Sequence, residues 1–539
     1  MTTLPSSMIV TTPITRAYLD RDPSITDRFQ QLTISSEFCK QRSRHGASRS
    51  RLVDLAKTSM RGLELSSEQL QALEVLRDPS SVVVTTGQQI GLYGGPMYTL
   101  YKIRTAVEEA RRLTTSMGVA TTAIFWLEDN DHDAAEAAST HLLAADGAVN
   151  DLAAWDGTDE RRSVHARSIS AQMREMIVAG ASTFTGQFAD ATRERYLEAY
   201  TEGRSWSDAF LLVLQPYLAE WGVIVVRGAD VIAAGLHLPI LLREVETPGS
   251  LSAAASTGTQ ILMERGYTAQ ATTGSMLFFG SDAQGRQRCS IEGDIVTIGA
   301  ETFTTQTFAQ LVREHPERFT PNVLARPVVQ DAVLPTVISV LGSAEIAYQA
   351  QLRELYELCG VPMPLLVLRN GATLLDARTE RLLAKDGHTL QWFMRGSEEL
   401  ERATADLLTT DILPDTDVRD ATLHTLLAPY LSAAESIDKT LIATVRAQGA
   451  GITSTLEALE GKLRAAAKRA GAQVLDRVRS IHNIVMPRGT LQERNFPLGF
   501  WESRFGIAEL RIIADVISSH EVGTHVVIGH SDLSPQENA

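Results

Sequence analysis

The chain has 539 residues, 44% of them hydrophobic, more than one ordinary core organises, so two or three domains are expected. Lysine and arginine number 50 against 65 aspartates and glutamates, a formal charge of −15, which argues against a general nucleic-acid binder with its basic footprint. The three cysteines, Cys39, Cys289 and Cys359, are far apart and form no CxxC pair, so neither a disulfide framework nor a zinc knuckle is suggested and a reducing, cytoplasmic setting is expected.

Residues 1–10 lack a basic start leading into a long apolar core, and no later run approaches bilayer length, so the expectation is a soluble protein with no membrane partner. Residues 1–80 read as polar helices, and their basic cluster, Arg42, Arg44, Arg49 and Arg51, reads as a solvated helix face with phosphate contact as the alternative. Ser66 and Ser67 ahead of Glu68 suit the cap of an amphipathic helix over 65–76, which Asp78-Pro79 ends.

Residues 82–86 are apolar and β-branched, as a strand buried on both faces requires. Glycine-rich sequence follows, and Pro96 is suited to open a helix whose apolar face carries Leu100, Ile103, Val107, Ala110 and Leu113. With a second buried strand over 122–127 the unit is β-loop-α-β, a right-handed crossover in a parallel sheet. Residues 87–95 and 128–133 then leave the carboxyl ends of neighbouring strands and face one crevice. Gly87, Gly91, Gly94 and Gly95 would let backbone N–H groups approach a phosphate, carboxylate or nucleotide, aided by the helix dipole. Their spacing fits neither the P-loop nor the dinucleotide fingerprint, and a plain strand-to-helix turn competes.

An alanine-rich insertion is expected at about 140–210 and a third buried strand over 222–226. A second insertion, 247–320, holds short antiparallel strands with turns at Asp282-Ala283-Gln284-Gly285 and Glu292-Gly293. Residues 321–371 form a second wall of the crevice, carrying Arg326, Gln330 and Asp331, then Glu345 and Tyr348 on a helix after Gly342, then a strand over 365–368. Arg326 and Asp331 read equally as a structural ion pair. From 373 the pattern is helical. Leu423 to Val445 and Leu456 to Ile481 carry apolar stripes spaced by threes and fours, and Gly449-Ala450-Gly451 is the expected reversal of an antiparallel coiled-coil hairpin, with dimerisation covering its flank. The domain plan is a core over 1–372, a coiled coil over 373–486 and a segment, 487–539, folding back on the core, with a frayed tail from 531.

Several stretches resemble one family. Thr86-Gly87-Gln88-Gln89, Gly94-Gly95-Pro96, Tyr98-Thr99-Leu100-Tyr101-Lys102, Phe125 to Asp133, Arg326 to Asp331, Glu345-Ile346-Ala347-Tyr348, Gly360 to Pro364 and Leu491-Gln492-Glu493-Arg494 resemble the bacillithiol-biosynthesis cysteine-adding enzymes over nearly the whole chain. The resemblance implies a Rossmann-like α/β core with connecting-peptide insertions, a dimerising coiled coil, and ligation of cysteine to glucosaminyl malate as the last step to bacillithiol. Ile90 and Ser343-Ala344 depart from the family's more usual proline and glycine-proline.

Ligation of this kind needs an activated carboxylate and a free amine. ATP is one activating donor, although the first loop lacks the His-Ile-Gly-His type sequence of class I synthetases. The glycine loop would cradle phosphate, Lys102 would neutralise developing charge, and His132 or Glu128 would be the base. Gln88, Gln89, Tyr98, Trp126, Asp129, Asp131, Arg326, Gln330, Asp331, Glu345, Tyr348, Gln492 and Arg494 complete the expected site. Glu128, Asp129, Asp131, His132 and Asp133 would alternatively hold a divalent metal. Two rival readings are a nucleotidyltransferase acting on another small amino sugar or amino acid, and a non-catalytic coiled-coil adaptor.

Overall fold

A computed structural model of the chain describes residues 2–4, 10–144, 146–157, 161–282, 284–408, 413 and 415–533. Ala283 of the first predicted hairpin turn and the predicted tail from 534 on lie outside the described residues. Two compact units are present, one of residues 1–142, 150–376 and 493–539, the other of 143–149 and 377–492.

The first unit is built on five strands, β1 (Val82–Gln89), β2 (Thr121–Glu128), β3 (Ile224–Arg227), β4 (Thr336–Leu341) and β5 (Leu365–Leu368). Their spatial order is β5-β4-β1-β2-β3, and every neighbouring pair is parallel. Val82, Val83 and Val84, Ile224, Val225 and Val226, and Val337, Ile338 and Val340 are all buried, so helices cover both faces. Helix α1 (Tyr98–Met117) makes the crossover from β1 to β2, burying Leu100, Ile103, Ala110 and Leu113 at the predicted spacing. The direction of strand order reverses between β1 and β4, and in an open α/β sheet that reversal is where loops part to leave a ligand crevice.

Two helices follow the sheet's turns on the other side of the reversal, α2 (Ala325–Val333), which leads into β4, and α3 (Ser343–Gln349), which leaves it. The second insertion is a five-stranded antiparallel sheet over Phe278–Pro321, as the short strands and turns predict. The chain is a strand at Gly371–Leu375, where a helix was expected from 373. That strand pairs in parallel with His525–Gly529, a partner about 150 residues away in sequence. Helix α4 (Leu498–Ser518) precedes that partner strand, so residues 493–539 belong to the sheet's own unit.

In the second unit the reversal falls at Asp438-Lys439-Thr440, between helices Thr416–Ile437 and Leu441–Ala470, and Gly449-Ala450-Gly451 lies inside the second helix. Asp438 breaks the helix by accepting from the Thr440 N–H at 2.9 Å and hydroxyl at 2.8 Å. Arg419 pairs with Glu460 at 3.1 Å while Gly449 lies against Leu427, so the helices run antiparallel. A Cβ on Gly449 would meet Leu427 at 2.6 Å; this glycine serves close helix contact, not a turn.

The basic cluster near the N-terminus divides: Arg44 and Arg51 are exposed, as a solvated face predicts, whereas Arg42 and Arg49 turn inward onto backbone carbonyls. Arg42 is fully buried and donates to the carbonyls of Asp331, Leu334 and Thr336, each at 2.8 Å, which fixes the entry into β4. Arg49 likewise holds the carbonyls of Ser43 and Ser81, and Arg51 that of Ala234. Arg42→Met removes its donors from the Asp331, Leu334 and Thr336 carbonyls, of which Leu334 keeps the Thr336 N–H, a loss on the order of 2–3 kcal/mol. Urea unfolding followed by intrinsic fluorescence checks this; an unchanged midpoint contradicts it.

Candidate active site

At the carboxyl ends of the strands flanking the reversal lies a cavity of about 310 Å³. Gly87, Gln88 and Gln89 line it from β1, Trp126 and Glu128 from β2, Asp131 from the loop beyond, and Tyr98 and Lys102 from α1. Arg326, Glu345, Tyr348 and Arg494 complete the predicted residues that meet there. Arg286 and Arg369 line it as well, so five basic side chains face three carboxylates.

The floor is an ion pair between the helices that leave β1 and β4. Lys102 Nζ lies 2.5 Å from Glu345 Oε2, and donates to the Gly87 carbonyl at 3.0 Å and to Gln88 Oε1 at 3.2 Å. An ammonium has three donors, so all are committed. Burial draws the Lys102 pKa down, opposed by Glu345. Burial also pushes the Glu345 carboxyl up, but Lys102, the Gly342 N–H and Arg326 outweigh it and hold the group below its ordinary value. Lys102 thus positions Glu345 and presents no free ammonium.

The walls carry the remaining charge. Arg326 donates to Gln330 Oε1 at 3.0 Å and lies 3.4 Å from the Tyr348 hydroxyl. Burial disfavours its charge, but Tyr348, Glu128 and Glu345 keep the guanidinium pKa above its ordinary value. Arg286, on the inserted strand Gly285–Glu292, stacks on Phe279 at 3.8 Å and reaches Asp131 at 3.2 Å. Arg369 leaves the end of β5, meets Glu493 at 2.5 Å and lies over the Tyr98 ring at 5.0 Å. Glu128 accepts from the Trp126 indole N–H at 3.1 Å, and among the described residues it is the crevice carboxylate without an ion-pair partner.

Other predicted residues are elsewhere. Gly94 and Gly95 do not line the crevice: the Gly95 carbonyl accepts from the Leu498 N–H at 2.9 Å, and a Cβ on Gly94, at φ +86°, would meet Leu498 at 3.0 Å. Pro96 forms a bridge with Pro497, and the Met97 N–H donates to the Phe496 carbonyl, so the C-terminal segment closes the glycine turn and α1 starts at Tyr98. Of residues 87–95, Gly87, Gln88 and Gln89 are the ones that line the cavity. Asp129 turns inward, accepting from the Ala229 N–H at 2.9 Å and Ser207 hydroxyl at 3.0 Å, and burial raises its carboxyl to about 6. Asp331 accepts from the Tyr356 hydroxyl at 2.7 Å, does not pair with Arg326, and is pushed up by burial. Gln330 reaches Thr85 at 3.1 Å beneath the floor. Gln492 belongs to the second unit, donating to the Ile484 carbonyl at 2.9 Å.

His132 stands beside the crevice, its side chain 42% exposed, with Nδ1 3.2 Å from Arg286 and 3.1 Å from Asp131. Nδ1 thus stands between a guanidinium, which only donates, and a carboxylate, which only accepts. Asp133 caps a short helix through the Glu136 N–H. The acidic run thus disperses in four directions, and among the described residues no three His, Cys, Asp or Glu side chains converge as a metal would need. The departing loop residue Ser343 is braced from the N-terminal segment, its hydroxyl accepting from the Thr11 N–H and its carbonyl from Thr15.

Arg369 was within reach of sequence reasoning, because it follows a buried strand at its carboxyl end. Arg286 was not, since nothing local tells which hairpin residue meets the crevice.

A parallel sheet with strand order 3-2-1-4-5 and a charged crevice at its reversal is a Rossmann-like α/β enzyme core. The chain belongs to the BshC family of bacillithiol biosynthesis: the family's N-terminal Rossmann-like domain matches residues 1–370 and its C-terminal coiled-coil domain residues 372–527. Relatives named "Putative cysteine ligase BshC" include those of Salinibacter ruber, 29% identical over 463 residues (85% of this chain, 84% of the relative), and Chlorobaculum tepidum, 28% over 502 (89% and 88%). That of Geobacillus kaustophilus is 26% identical over 476 residues (84% and 86%). The chain is accordingly an enzyme of the ligase class.

The ion pair on the floor makes a measurable prediction. Glu345→Gln strands the buried Lys102 ammonium and destabilises by about 3 kcal/mol; Lys102→Met, which leaves the 26%-exposed Glu345 without its cation, costs less, and the double variant costs clearly less than their sum. Denaturant unfolding of the three variants checks it, and strict additivity counts against the pair.

Proposed function

We propose that this ligase joins L-cysteine to the amine of glucosaminyl malate, the last step to bacillithiol, with ATP activating the cysteine carboxylate. The observation that carries this reading is that Arg286, Arg326, Arg369 and Arg494 line one crevice together with Glu128, a carboxylate with no ion-pair partner among the described residues. Amide formation requires a carboxylate to lose an oxygen and an ammonium to lose a proton. The arginines bind carboxylates, and equally the phosphates of an activating nucleotide, through charge-assisted forks. ATP, when bound, supplies a leaving group for the carboxylate oxygen; contact with it falls to these side chains, because the glycine turn faces elsewhere.

Glu128 is the base we assign for the attacking ammonium, since it lines the crevice and is not neutralised by a direct cation. His132 stands second, its Nδ1 being directed at Arg286. The three free cysteines and the absence, among the described residues, of a helix able to cross a membrane are compatible with work in the cytoplasm.

Purified protein given cysteine and glucosaminyl malate is expected to form the ligated thiol, read by mass spectrometry, only with Mg-ATP. Glu128→Gln should lower kcat by about 10²- to 10⁴-fold, and His132→Ala by less than about tenfold. The reverse ranking would move the base to His132, and pyrophosphate release with other acceptors but no thiol product would favour a nucleotidyltransferase.

We also infer a homodimer through the second unit. Leu426, Tyr430, Ile437, Leu459 and Leu463 are exposed there, Ile437 at 80%, on helices whose mutual packing leaves a flank uncovered. Sedimentation should find a dimer in the wild type and a monomer in Leu459→Glu/Leu463→Glu; a monomeric wild type sinks the inference.

A further inference from the structure

The strongest feature outside the residues assigned so far is a buried carboxylate directly behind the crevice. Glu493 is 2% exposed and binds Arg369 with one oxygen, Oε1 to Nη2 at 2.5 Å. Its other oxygen, Oε2, accepts from the Ala372 N–H at 3.1 Å and stands 3.8 Å from His525 Nδ1. Burial pushes the Glu493 carboxyl up, but Arg369, His525 and Arg494 outweigh it and the group stays below its ordinary value. His525 is itself enclosed, with Nε2 3.0 Å from the Thr373 hydroxyl, and burial lowers its pKa to about 4, so at neutral pH it adds no charge. Arg369 is therefore the direct counter-ion of Glu493.

The guanidinium is held on two sides. Nη2 meets Glu493, Nη1 donates to the Asn370 carbonyl at 3.0 Å, and the plane lies by Tyr98. Five N–H donors exist on such a group, and these two bonds leave others for the crevice that Arg369 lines. The next residue after Glu493 is Arg494, which lines the same cavity. Gly371 explains how the carboxylate fits: a Cβ there would meet Glu493 Oε2 at 2.5 Å and His525 Nδ1 at 2.7 Å.

From this we infer that Glu493 is a positioning residue that orients Arg369, and through the adjoining backbone Arg494, as one binding element for an anionic group of the substrate. The inference rests on the ligase reading for the identity of the substrate but not for the anion contact. A carboxylate of glucosaminyl malate and a phosphate of the nucleotide share the required chemistry, and separate probes distinguish them.

The test uses the full-length protein and the variants Glu493→Gln, Glu493→Asp, Arg369→Lys and Glu493→Gln/Arg369→Lys. Calorimetric titration with L-malate and with inorganic pyrophosphate measures the anion contact without turnover. Losing a charged hydrogen bond is worth about 10- to 100-fold in affinity. Weakening of that size is expected in Glu493→Gln for one probe, recovery of most of it in Glu493→Asp, and no additive loss in the double variant. In the ligation assay, Glu493→Gln should raise KM for the matching substrate by a similar factor while kcat changes less than about threefold. Additive losses, unchanged binding in folded Glu493→Gln, or a wild type that binds neither anion overturns the assignment. A wild type that binds an anion but forms no thiol product rejects the ligase reading while the comparison of variants still decides the role of Glu493.

Discussion

The crevice depends on the ion pair between Lys102 and Glu345. Strands β1 and β4 pair directly, but beyond their carboxyl ends the reversal of strand order leaves a gap between the segments that follow. The 2.5 Å contact spans that gap, and its ammonium also takes the Gly87 carbonyl at the end of β1. Such a pair contributes little net stability when desolvation is counted, yet removing Glu345 strands the buried Lys102 ammonium. It therefore specifies the geometry of the two walls more than it strengthens the fold.

Around that floor, most cations arrive with a counter-charge of their own. Arg286 comes with Asp131 and Arg369 with Glu493. Each pair joins segments distant in sequence: an inserted hairpin to the loop after β2, and the end of β5 to the C-terminal segment. Fixed pairs of this kind pre-organise the donors, so an incoming anion meets oriented dipoles and little rearrangement is needed. Glu128 differs in facing the cavity without a direct cation, held instead by the Trp126 indole N–H at 3.1 Å.

The sheet was legible because its strands are buried on both faces and their β-branched runs need no partner to be recognised. The α1 stripe was legible for the same local reason. Gly371–Leu375 was not, since the hydrophobic pattern changes to helix two residues later and its partner, His525–Gly529, lies far along the chain. Gly449 misled because glycine serves turns and close helix contacts alike, and only the packed Leu427 distinguishes them. The acidic run at 128–133 gave the right neighbourhood and the wrong geometry: consecutive residues in a loop point in different directions, so Glu128 and Asp131 reach the crevice while Asp129 is buried behind it.

The glycine turn carries the largest consequence. With the Gly95 carbonyl and the Met97 N–H engaged by Leu498 and Phe496, the crevice is lined by four guanidinium groups and by Gly87, Gln88 and Gln89, and not by the turn at Gly94-Gly95. Backbone nests suit the compact, multiply charged phosphate, whereas planar guanidinium matches the planar carboxylate as well as it matches phosphate. A Rossmann-like sheet that has closed its first glycine turn and walled its crevice with arginines is thereby as well adapted to carboxylates as to nucleotides. The C-terminal segment does both things, closing the turn with Phe496 and Leu498 and furnishing Arg494 and Glu493, so the chemistry of the crevice is set by the part of the chain farthest in sequence from β1.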